Sequence, residues 1–222
     1  IRIFALMNKN LHKLFVISSP SGGGKTSLLK AFFEDQRAKG ITMSISHTTR
    51  DKRDGDLEGK DYFFISEKDF LKKQKNGDFI EYAEVFGNFY GTPKKDVQES
   101  IQGGRDVIID VDWQGGTQIR NSYLSSSVVS IFILPPSIRS LEERLLLRAQ
   151  DDKKTVDFRM LEARSEISHW AEYDYVLIND NFSKVKEDII KIIQAEKMRR
   201  QRQGSLPEFI ARLNEEFEFI KG

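Results

Sequence analysis

Short apolar runs alternate with longer amphipathic segments along most of the chain. The apolar runs are rich in Val, Ile and Phe and predict strands at residues 13–18, 41–46, 105–111, 128–134 and 173–179. Helices are predicted between them, at about residues 25–38, 137–150, 157–170 and 182–200. Strands that alternate with helices are typical of a parallel sheet covered by helices on both faces, so the predicted fold class is α/β.

Residues 47–92 depart from this alternation. The segment is polar, contains turn glycines, and holds short alternating runs such as KDYFFI and DFIEYAEVFGNFYG. Such runs are typical of a small sheet with one face in solvent. We interpret the segment as an insertion into a core formed by residues 13–46 and 93–200.

Residues 201–222 predict a C-terminal amphipathic helix. Its apolar stripe consists of Leu206, Phe209, Ile210, Leu213, Phe217 and Ile220. The expected role of this stripe is packing or subunit contact, which makes a homodimer a possible assembly.

Composition narrows the class of protein. A chain of 222 residues suits one domain with a sizeable core, and its 35 basic and 34 acidic side chains nearly balance, so the charge predicts neither a nucleic-acid nor a membrane partner. The chain has no cysteine and no apolar run near the roughly 20 residues that span a bilayer, which favours a cytoplasmic protein.

We interpret residues 1–12 as an N-terminal extension, with translation starting naturally at Met7.

The stretch FVISSPSGGGKTSLLKAFF joins a strand to a helix through a glycine-rich turn, which is the context of a P-loop. Glycines let backbone N–H groups curve around an anion, and the helix N-terminus adds partial positive charge. Lys25 is expected to reach the β- and γ-phosphates, and Thr26 to offer a hydroxyl to Mg²⁺. The predicted ATP-binding residues are Ser19, Pro20, Ser21, Gly22, Gly23, Gly24, Lys25, Thr26 and Ser27.

Ser19 is the one departure from the P-loop pattern, which has glycine at that position. Serine is acceptable there if its backbone has negative φ, because glycine is needed only at positive φ or where a side chain would clash. The alternative interpretation of the stretch is a glycine-rich turn with an exposed lysine.

Further motifs lie in order along the chain: SISHTTRDKR, GKDYFF, FIEYAEVFGNFYGT, IIDVDWQG and an arginine-rich segment that ends in LINDN. Together with the P-loop, from about Lys13 to Lys197, these motifs closely resemble guanylate kinase, the nucleoside monophosphate kinase family that phosphorylates GMP from ATP. The resemblance implies a P-loop core with a small mixed GMP-binding insertion and a helical lid at about residues 145–160.

The insertion carries residues suited to a nucleoside monophosphate. Arg50 and Arg53 can clamp its phosphate through charge-assisted contacts, and hydroxyls of Tyr62 and Tyr90 can complete the cage without adding charge. Guanine presents two adjacent donors, N1–H and N2–H₂, which an ionised carboxylate can accept as a pair, and Glu81 is our candidate. Taken alone, Arg50 and Arg53 favour a solvated charged loop, and Glu81 could equally lie on the solvent face of a sheet.

The resemblance implies further contacts with guanine. Ser46, Thr92 and Asp112 would complete the pocket, with the two hydroxyls acting on the acceptor edge of the base. Asp110 ends a predicted core strand, where it would hold Mg²⁺ through water or orient the loop hydroxyls. The alternative for Asp110 is a carboxylate that caps the following helix.

The resemblance also assigns the lid arginines. Arg144 and Arg148 lie four residues apart and so share one helix face. With Arg159, which is expected near the start of the next helix, they would contact the ATP phosphates and the phosphoryl group in transfer. Asn179 would lie near the adenosine of ATP. The catalytic set is therefore Lys25, Arg50, Arg144, Arg148 and Arg159.

The predicted reaction is in-line transfer of the γ-phosphoryl group of Mg·ATP to GMP, and by extension to dGMP. Three alternatives remain at this point: a kinase for another nucleoside monophosphate, a catalytically inactive guanylate-kinase-like module that binds peptides, and a regulatory GTPase. The paired carboxylates Glu81 and Asp112 argue against the first, and the intact lysine and arginines against the second. The chain has no NKxD guanine-reading element, which argues against the third.

Overall fold

The protein has an α/β fold built on a parallel sheet, as the sequence predicts. The computed structural model describes residues 12–147 and 153–221, so the interpretation of Met7 as the start lies outside the described residues. The five-stranded sheet has the order β2-β7-β1-β8-β9, and every pair in it is parallel. Its strands are β1 (Leu14–Ser18), β2 (Ile41–Met43), β7 (Asp106–Asp110), β8 (Val128–Leu134) and β9 (Tyr175–Ile178).

Eight α-helices lie within the described residues. They are α1 (Lys25–Phe33), α2 (Glu67–Lys75), α3 (Lys94–Gln102), α4 (Trp113–Arg120), α5 (Ile138–Leu147), α6 (Lys153–Ser168), α7 (Phe182–Met198) and α8 (Leu206–Lys221). Short 3₁₀ turns occupy Gln36–Ala38, Ser125–Ser127, His169–Glu172 and Arg200–Arg202.

Strand β1 is the centre of the core because both of its faces are covered. Phe15 and Ile17 belong to the apolar cluster formed with α1 and α7, whereas Leu14 and Val16 belong to the cluster that includes Val97 of α3 and Ile119 of α4. All four of these β1 side chains have no exposed surface. A strand buried on both faces reads as a continuous apolar run, which is why the sequence identified it.

The insertion forms a second sheet of mixed direction. Its order is β4-β3-β6-β5, with strands β3 (His47–Thr48), β4 (Phe63–Phe64), β5 (Phe79–Val85) and β6 (Asn88–Pro93). Helix α2 covers this sheet through Phe70, whose ring stacks on those of Phe79 and Phe89 at centroid distances of 4.7 and 5.4 Å. The small core of the insertion is therefore aromatic.

Several element boundaries differ from the sequence prediction. Helix α1 ends at Phe33 rather than near residue 38, because the Asp35 carboxylate accepts a hydrogen bond from the backbone N–H of Arg37 and starts a 3₁₀ turn. Strand β2 ends at Met43, and α6 begins at Lys153.

Helices α2, α3 and α4 were not predicted. Their apolar positions are few, and α4 contains two consecutive glycines, so tertiary packing rather than local pattern stabilises them.

The apolar stripe of α8 remains exposed. Phe217 is 61% and Ile220 79% exposed, so the helix does not bury this face against the rest of the described chain. No helix in the described residues has the length and apolar character needed to cross a membrane.

A buried ion cluster closes the amino end of the sheet. The carboxylate of Asp106, the first residue of β7, is 4% exposed and accepts hydrogen bonds from the backbone N–H of Lys13, at 2.9 Å, and from the guanidinium of Arg202. The ammonium of Lys197 lies 3.5 Å from the same carboxylate. The cluster thus ties the segment before α8 to the core, at the opposite end of β7 from Asp110.

We expect Asp106→Asn to lower the free energy of unfolding by about 3 kcal/mol, because it removes a buried negative charge that the guanidinium of Arg202 contacts. Urea denaturation followed by circular dichroism measures the change. The control is Lys197→Ala, which removes a half-exposed partner and should cost about 1 kcal/mol or less. Equal effects of the two substitutions would contradict this account of the cluster.

Candidate active site

The carboxyl edge of the parallel sheet gathers several candidate residues. The glycine-rich loop follows β1, Asp110 is the last residue of β7, and Asn179 follows β9. Ile17 and Asp110 are partners in the β1–β7 register, so the loop leaves its strand beside this carboxylate. Ligand sites in open α/β sheets form at this edge.

The loop at residues 19–26 has the backbone shape that the sequence predicts. Gly22 and Gly24 have φ values of 83° and 94°, which L side chains rarely adopt, and the N–H of Gly23 donates to the carbonyl of Pro20 at 2.9 Å. Ser19 does not have positive φ, so serine is accommodated at this position. Gly24 is the N-cap of α1 and supplies no capping side chain, which leaves the N–H groups of the first turn to a ligand.

Lys25 is held at the end of β7. Its ammonium lies 2.5 Å from the Asp110 carboxylate and donates to the backbone carbonyl of Val111 at 2.6 Å. Thr26 follows it in the first turn of α1 and is exposed. The loop therefore presents a cation and a hydroxyl beside a carboxylate, and Asp110 pairs with Lys25 rather than capping α4.

Asn179 and Arg144 support the loop from behind. The Asn179 side-chain amide donates to the carbonyl of Gly23 at 2.9 Å, and the Arg144 guanidinium donates to the carbonyls of Gly23 and Asn179 at 3.4 and 3.2 Å. A Cβ on Gly24 would lie 2.6 Å from the Asn179 amide nitrogen, so this approach requires glycine. Both predicted residues thus lie at the loop, where they contact its backbone.

Arg159, which the sequence analysis assigns to a lid, reaches the same cleft from α6. Arg159 is 8% exposed and lines the cleft, with its guanidinium carbon 5.1 Å from the centre of the Phe86 ring. Because α6 begins at Lys153, Arg159 lies in its second turn rather than at its start. Arg148 lies outside the described residues.

Glu166 is a cleft residue that the sequence analysis missed. Its carboxylate accepts a hydrogen bond from the backbone N–H of Ser21 at 2.8 Å, and burial raises its pKa. It lies seven residues after Arg159 and is 8% exposed, on the same buried face of α6 as Ala163. In the sequence alone, nothing distinguishes it from a surface glutamate.

A second pocket centres on Glu81. Its carboxylate is 3% exposed and accepts hydrogen bonds from the backbone N–H of Thr92 at 3.0 Å and from the Thr92 hydroxyl at 2.5 Å. The hydroxyls of Thr92 and Ser46 lie 3.3 Å apart. The pairing of β5 with β6 sets Glu81 opposite Thr92, so this polar chain follows from strand register.

Asp112 lies beside this pocket and caps α4. Its carboxylate accepts hydrogen bonds from the backbone N–H of Gly115 at 2.9 Å and from the side-chain amide of Gln114 at 3.0 Å. A Cβ on Gly115 would lie 2.5 Å from the Glu81 carboxylate, so glycine permits α4 to approach β5. The two carboxylates consequently face one cleft.

The arginine and tyrosine residues of the insertion form a third group. Asp56, which the sequence analysis missed, lies 2.8 Å from the Arg50 guanidinium and accepts a hydrogen bond from the backbone N–H of Arg53 at 2.9 Å. The Tyr62 ring lies 5.4 Å from the Arg50 guanidinium carbon and 5.8 Å from the Tyr90 ring. Burial raises the pKa of the Tyr62 phenol, which keeps it a proton donor.

Burial raises the pKa of Glu81 to about 7, against an ordinary value of 4.5. The hydrogen bonds from Thr92 oppose this shift, and the charge of Asp112 adds to it. Since the folded state binds this proton more tightly than the unfolded state, the contribution of Glu81 to stability is lost as pH rises from about 4.5 to about 7. An ionised Glu81 is therefore an unfavourable buried charge with unused acceptor capacity.

The described residues contain no group of three or more His, Cys, Asp or Glu side chains that could hold a metal. Thr26 and Asp110 offer oxygen atoms only. This donor set fits a hard divalent cation that takes most of its ligands from water and phosphate, and does not fit an all-protein metal cage.

Comparisons with known proteins agree on one family. The guanylate kinase family model matches residues 11–196. The chain is 48% identical to a guanylate kinase of Cereibacter sphaeroides over 92% of this chain and 96% of that protein, and 47% identical to one of Ruegeria pomeroyi over 92% and 95%. The crystal structure of guanylate kinase from Anaplasma phagocytophilum is similar, with a TM-score of 0.74 and 37% identity over 90% of this chain and 94% of that one.

We expect Glu81→Gln to stabilise the protein at pH 8, because it removes a buried charge and keeps the acceptor for Thr92. The gain in free energy of unfolding should be larger at pH 8 than at pH 5 by about 2 kcal/mol. Urea denaturation at the two pH values measures it. Glu84→Gln, on the exposed face of the same strand, is the matched control and should show no such difference; a pH-independent effect of Glu81→Gln would contradict the raised pKa.

Proposed function

The chain belongs to the guanylate kinase family, and from that premise we propose how its cleft transfers a phosphoryl group from ATP to GMP. The enzyme is a nucleoside monophosphate kinase that converts ATP and GMP to ADP and GDP. One observation carries the mechanism: the glycine-rich loop and the Glu81 pocket line the same cleft, so donor and acceptor sites face each other.

The loop at residues 19–26 is the proposed ATP phosphate site. Its positive-φ glycines and the uncapped N-terminus of α1 favour an anion through backbone N–H groups and the helix dipole. Lys25 can exchange its contact with Asp110 for the terminal phosphates. Asn179 and Arg144 hold the loop in shape by binding the carbonyl of Gly23.

Arg50, Arg53, Tyr62 and Tyr90 are the proposed site for the GMP phosphate. A nucleoside monophosphate carries close to two negative charges at neutral pH, which two guanidinium groups can neutralise. Asp56 orients Arg50 in the absence of that anion. The tyrosine hydroxyls add hydrogen bonds without adding charge.

Glu81 is the proposed reader of guanine. When ionised, it can accept hydrogen bonds from N1–H and N2–H₂ together, with Asp112 beside it, while the hydroxyls of Ser46 and Thr92 act on the acceptor edge. Adenine has no matching pair of donors and would leave the buried carboxylate unpaired, which is strongly unfavourable. Binding guanine thus offsets the cost of ionising Glu81.

The transfer step needs no general base, because the attacking phosphate oxygen is already largely deprotonated. Catalysis then consists of aligning two polyanions and stabilising the charge that spreads over the transferred group. Lys25, Arg144 and Arg159 can supply this charge, and the sequence adds Arg148. Closure over both nucleotides would exclude water as a competing acceptor.

Guanylate kinases use ATP with a divalent metal, and we propose Mg²⁺ for this chain. Thr26 and Asp110, the latter through water, are the residues that would hold it. When bound, the ion supplies positive charge to the terminal phosphates of ATP. Asp110 also contacts Lys25, so the same carboxylate would serve both the lysine and the ion.

None of the three rival functions, the other monophosphate kinase, the peptide-binding module and the regulatory GTPase, gains support from the comparisons. An inactive peptide-binding module would have no use for the Lys25–Asp110 pair and the supported loop. A kinase for another monophosphate would not match the Glu81 pocket. The homodimer and the absence of a nucleic-acid partner stay predictions from sequence.

We expect Lys25→Met to lower kcat by about 100-fold or more, because it removes charge stabilisation from the phosphoryl group in transfer. The effect on unfolding by urea should be much smaller. A coupled ADP-release assay with Mg·ATP and GMP measures turnover, and the exposed Lys39→Met is the control. Near-normal turnover of Lys25→Met would overturn the proposed mechanism.

Substrate choice tests the guanine pocket. In the same assay with GMP, AMP, UMP and TMP offered in turn, we expect GMP to be strongly preferred. Glu81→Gln should lower the ratio of kcat/KM for GMP to that for AMP by about tenfold or more, since an amide cannot accept both donors. Glu84→Gln should leave the ratio intact. An unchanged ratio for Glu81→Gln would contradict the proposed role of Glu81 in recognising guanine.

A further inference from the structure

Phe86 adopts a strained backbone conformation at the tip of the β5–β6 hairpin. Its φ is 51°, and no other non-glycine residue has positive φ in residues 12–147 and 153–221. Val85 pairs with Asn88, so the turn has two residues, and Gly87 has a φ of 71°. Two consecutive positive φ values are the requirement of a type I′ turn.

Such a turn favours Asn, Asp or Gly at its first position, and a bulky aromatic residue there is an outlier. Backbone strain of this kind persists only where contacts in the surrounding structure hold the residue in place, and it is concentrated at functional sites. We therefore expect contacts of the Phe86 ring to offset the strain of its backbone.

The ring of Phe86 contacts the lid helix across the cleft. It packs edge-on against Phe158, with centroids 5.9 Å apart and planes at 73°, and the Arg159 guanidinium carbon lies 5.1 Å from its centre. Arg159 is 8% exposed, so this cation has lost most of its water. A desolvated guanidinium over an aromatic face is a favourable cation–π geometry.

General apolar burial does not explain the contact. Phe86 remains 37% exposed and Phe158 51% exposed, so neither ring is a core residue. What the ring of Phe86 provides is a face of negative potential beneath the arginine, which a glycine or asparagine in an unstrained turn could not provide.

We propose that Phe86 is a positioning residue that holds Arg159 in place for phosphoryl transfer. The hairpin belongs to the insertion that carries the Glu81 pocket, whereas Arg159 belongs to the proposed lid. The contact therefore couples the position of the insertion, where GMP would bind, to the position of the Arg159 guanidinium near the ATP phosphates. This inference rests on the proposed role of Arg159. Phe86 need not touch either nucleotide to act in this way.

The turn and the ring predict opposite effects for one substitution. Phe86→Asn relieves the strain, because Asn-Gly is the preferred sequence for this turn, and we expect Tm to rise by about 2–4 °C. The same variant loses the aromatic face, and we expect kcat to fall about tenfold while the KM for GMP changes little. A residue with only a structural role would not lose activity as stability rises.

Two further variants separate aromaticity from bulk. Phe86→Tyr keeps the ring face and should retain kcat within about twofold, whereas Phe86→Leu keeps the apolar bulk without the ring and should lose activity as Phe86→Asn does. Turnover is measured with the coupled ADP-release assay, at a temperature where thermal unfolding curves show every variant folded. A fully active Phe86→Leu would overturn the proposal.

A double-mutant cycle with Arg159→Ala decides whether Phe86 acts through Arg159. If it does, Phe86→Leu causes no further loss of kcat in the Arg159→Ala background, and an undiminished loss there would overturn the proposal. The single variant Arg159→Ala separates the proposed role of Arg159 from the positioning role of Phe86. Full activity of that variant would refute the proposed role of Arg159, whereas an impaired Arg159→Ala beside a fully active Phe86→Leu would refute the positioning role alone.

Discussion

The parallel register of β1 and β7 is the constraint on which the rest of the structure depends. Both faces of β1 are packed, and a shift by one residue would move Phe15 and Ile17 into the space that Leu14 and Val16 fill, which close packing disfavours. Because both strands run the same way, their carboxyl ends meet, and the glycine-rich loop emerges beside Asp110. The contact between Lys25 and Asp110 is thus a consequence of strand pairing.

The pocket around Glu81 shows how the proposed recognition of guanine would lower stability. Glu81 lies in a strand pair that could bury an apolar side chain at lower cost, and the desolvation that raises its pKa is the same desolvation that makes an unmatched base unfavourable. Hydrogen bonds from Thr92 hold the carboxylate in place, and Gly115 allows α4 to close over it. In the proposed function, the preference for guanine and the unfavourable burial of Glu81 therefore have one physical origin.

The cleft is organised by contacts that cross it as well as by residues that line it. From α6, Glu166 binds the backbone of the loop and Arg159 meets the hairpin tip at Phe86. These contacts lie on one buried face of the helix. Helix α6 consequently contacts both the glycine-rich loop and the hairpin of the insertion, which brings residues far apart in sequence into one cleft.

The sequence by itself determined the fold class, the core strands, the glycine-rich loop after β1 and the presence of a second small sheet, because burial on both faces, turn glycines and alternating residues leave local patterns. It did not identify α2, α3 and α4, whose short and polar segments become helical only through packing. Nor did it single out Asp56, Phe86 or Glu166, because a carboxylate or an aromatic ring has no local signal for a partner that tertiary structure brings to it. Residue identity thus encoded the chemistry, while strand register and helix docking decided which groups meet.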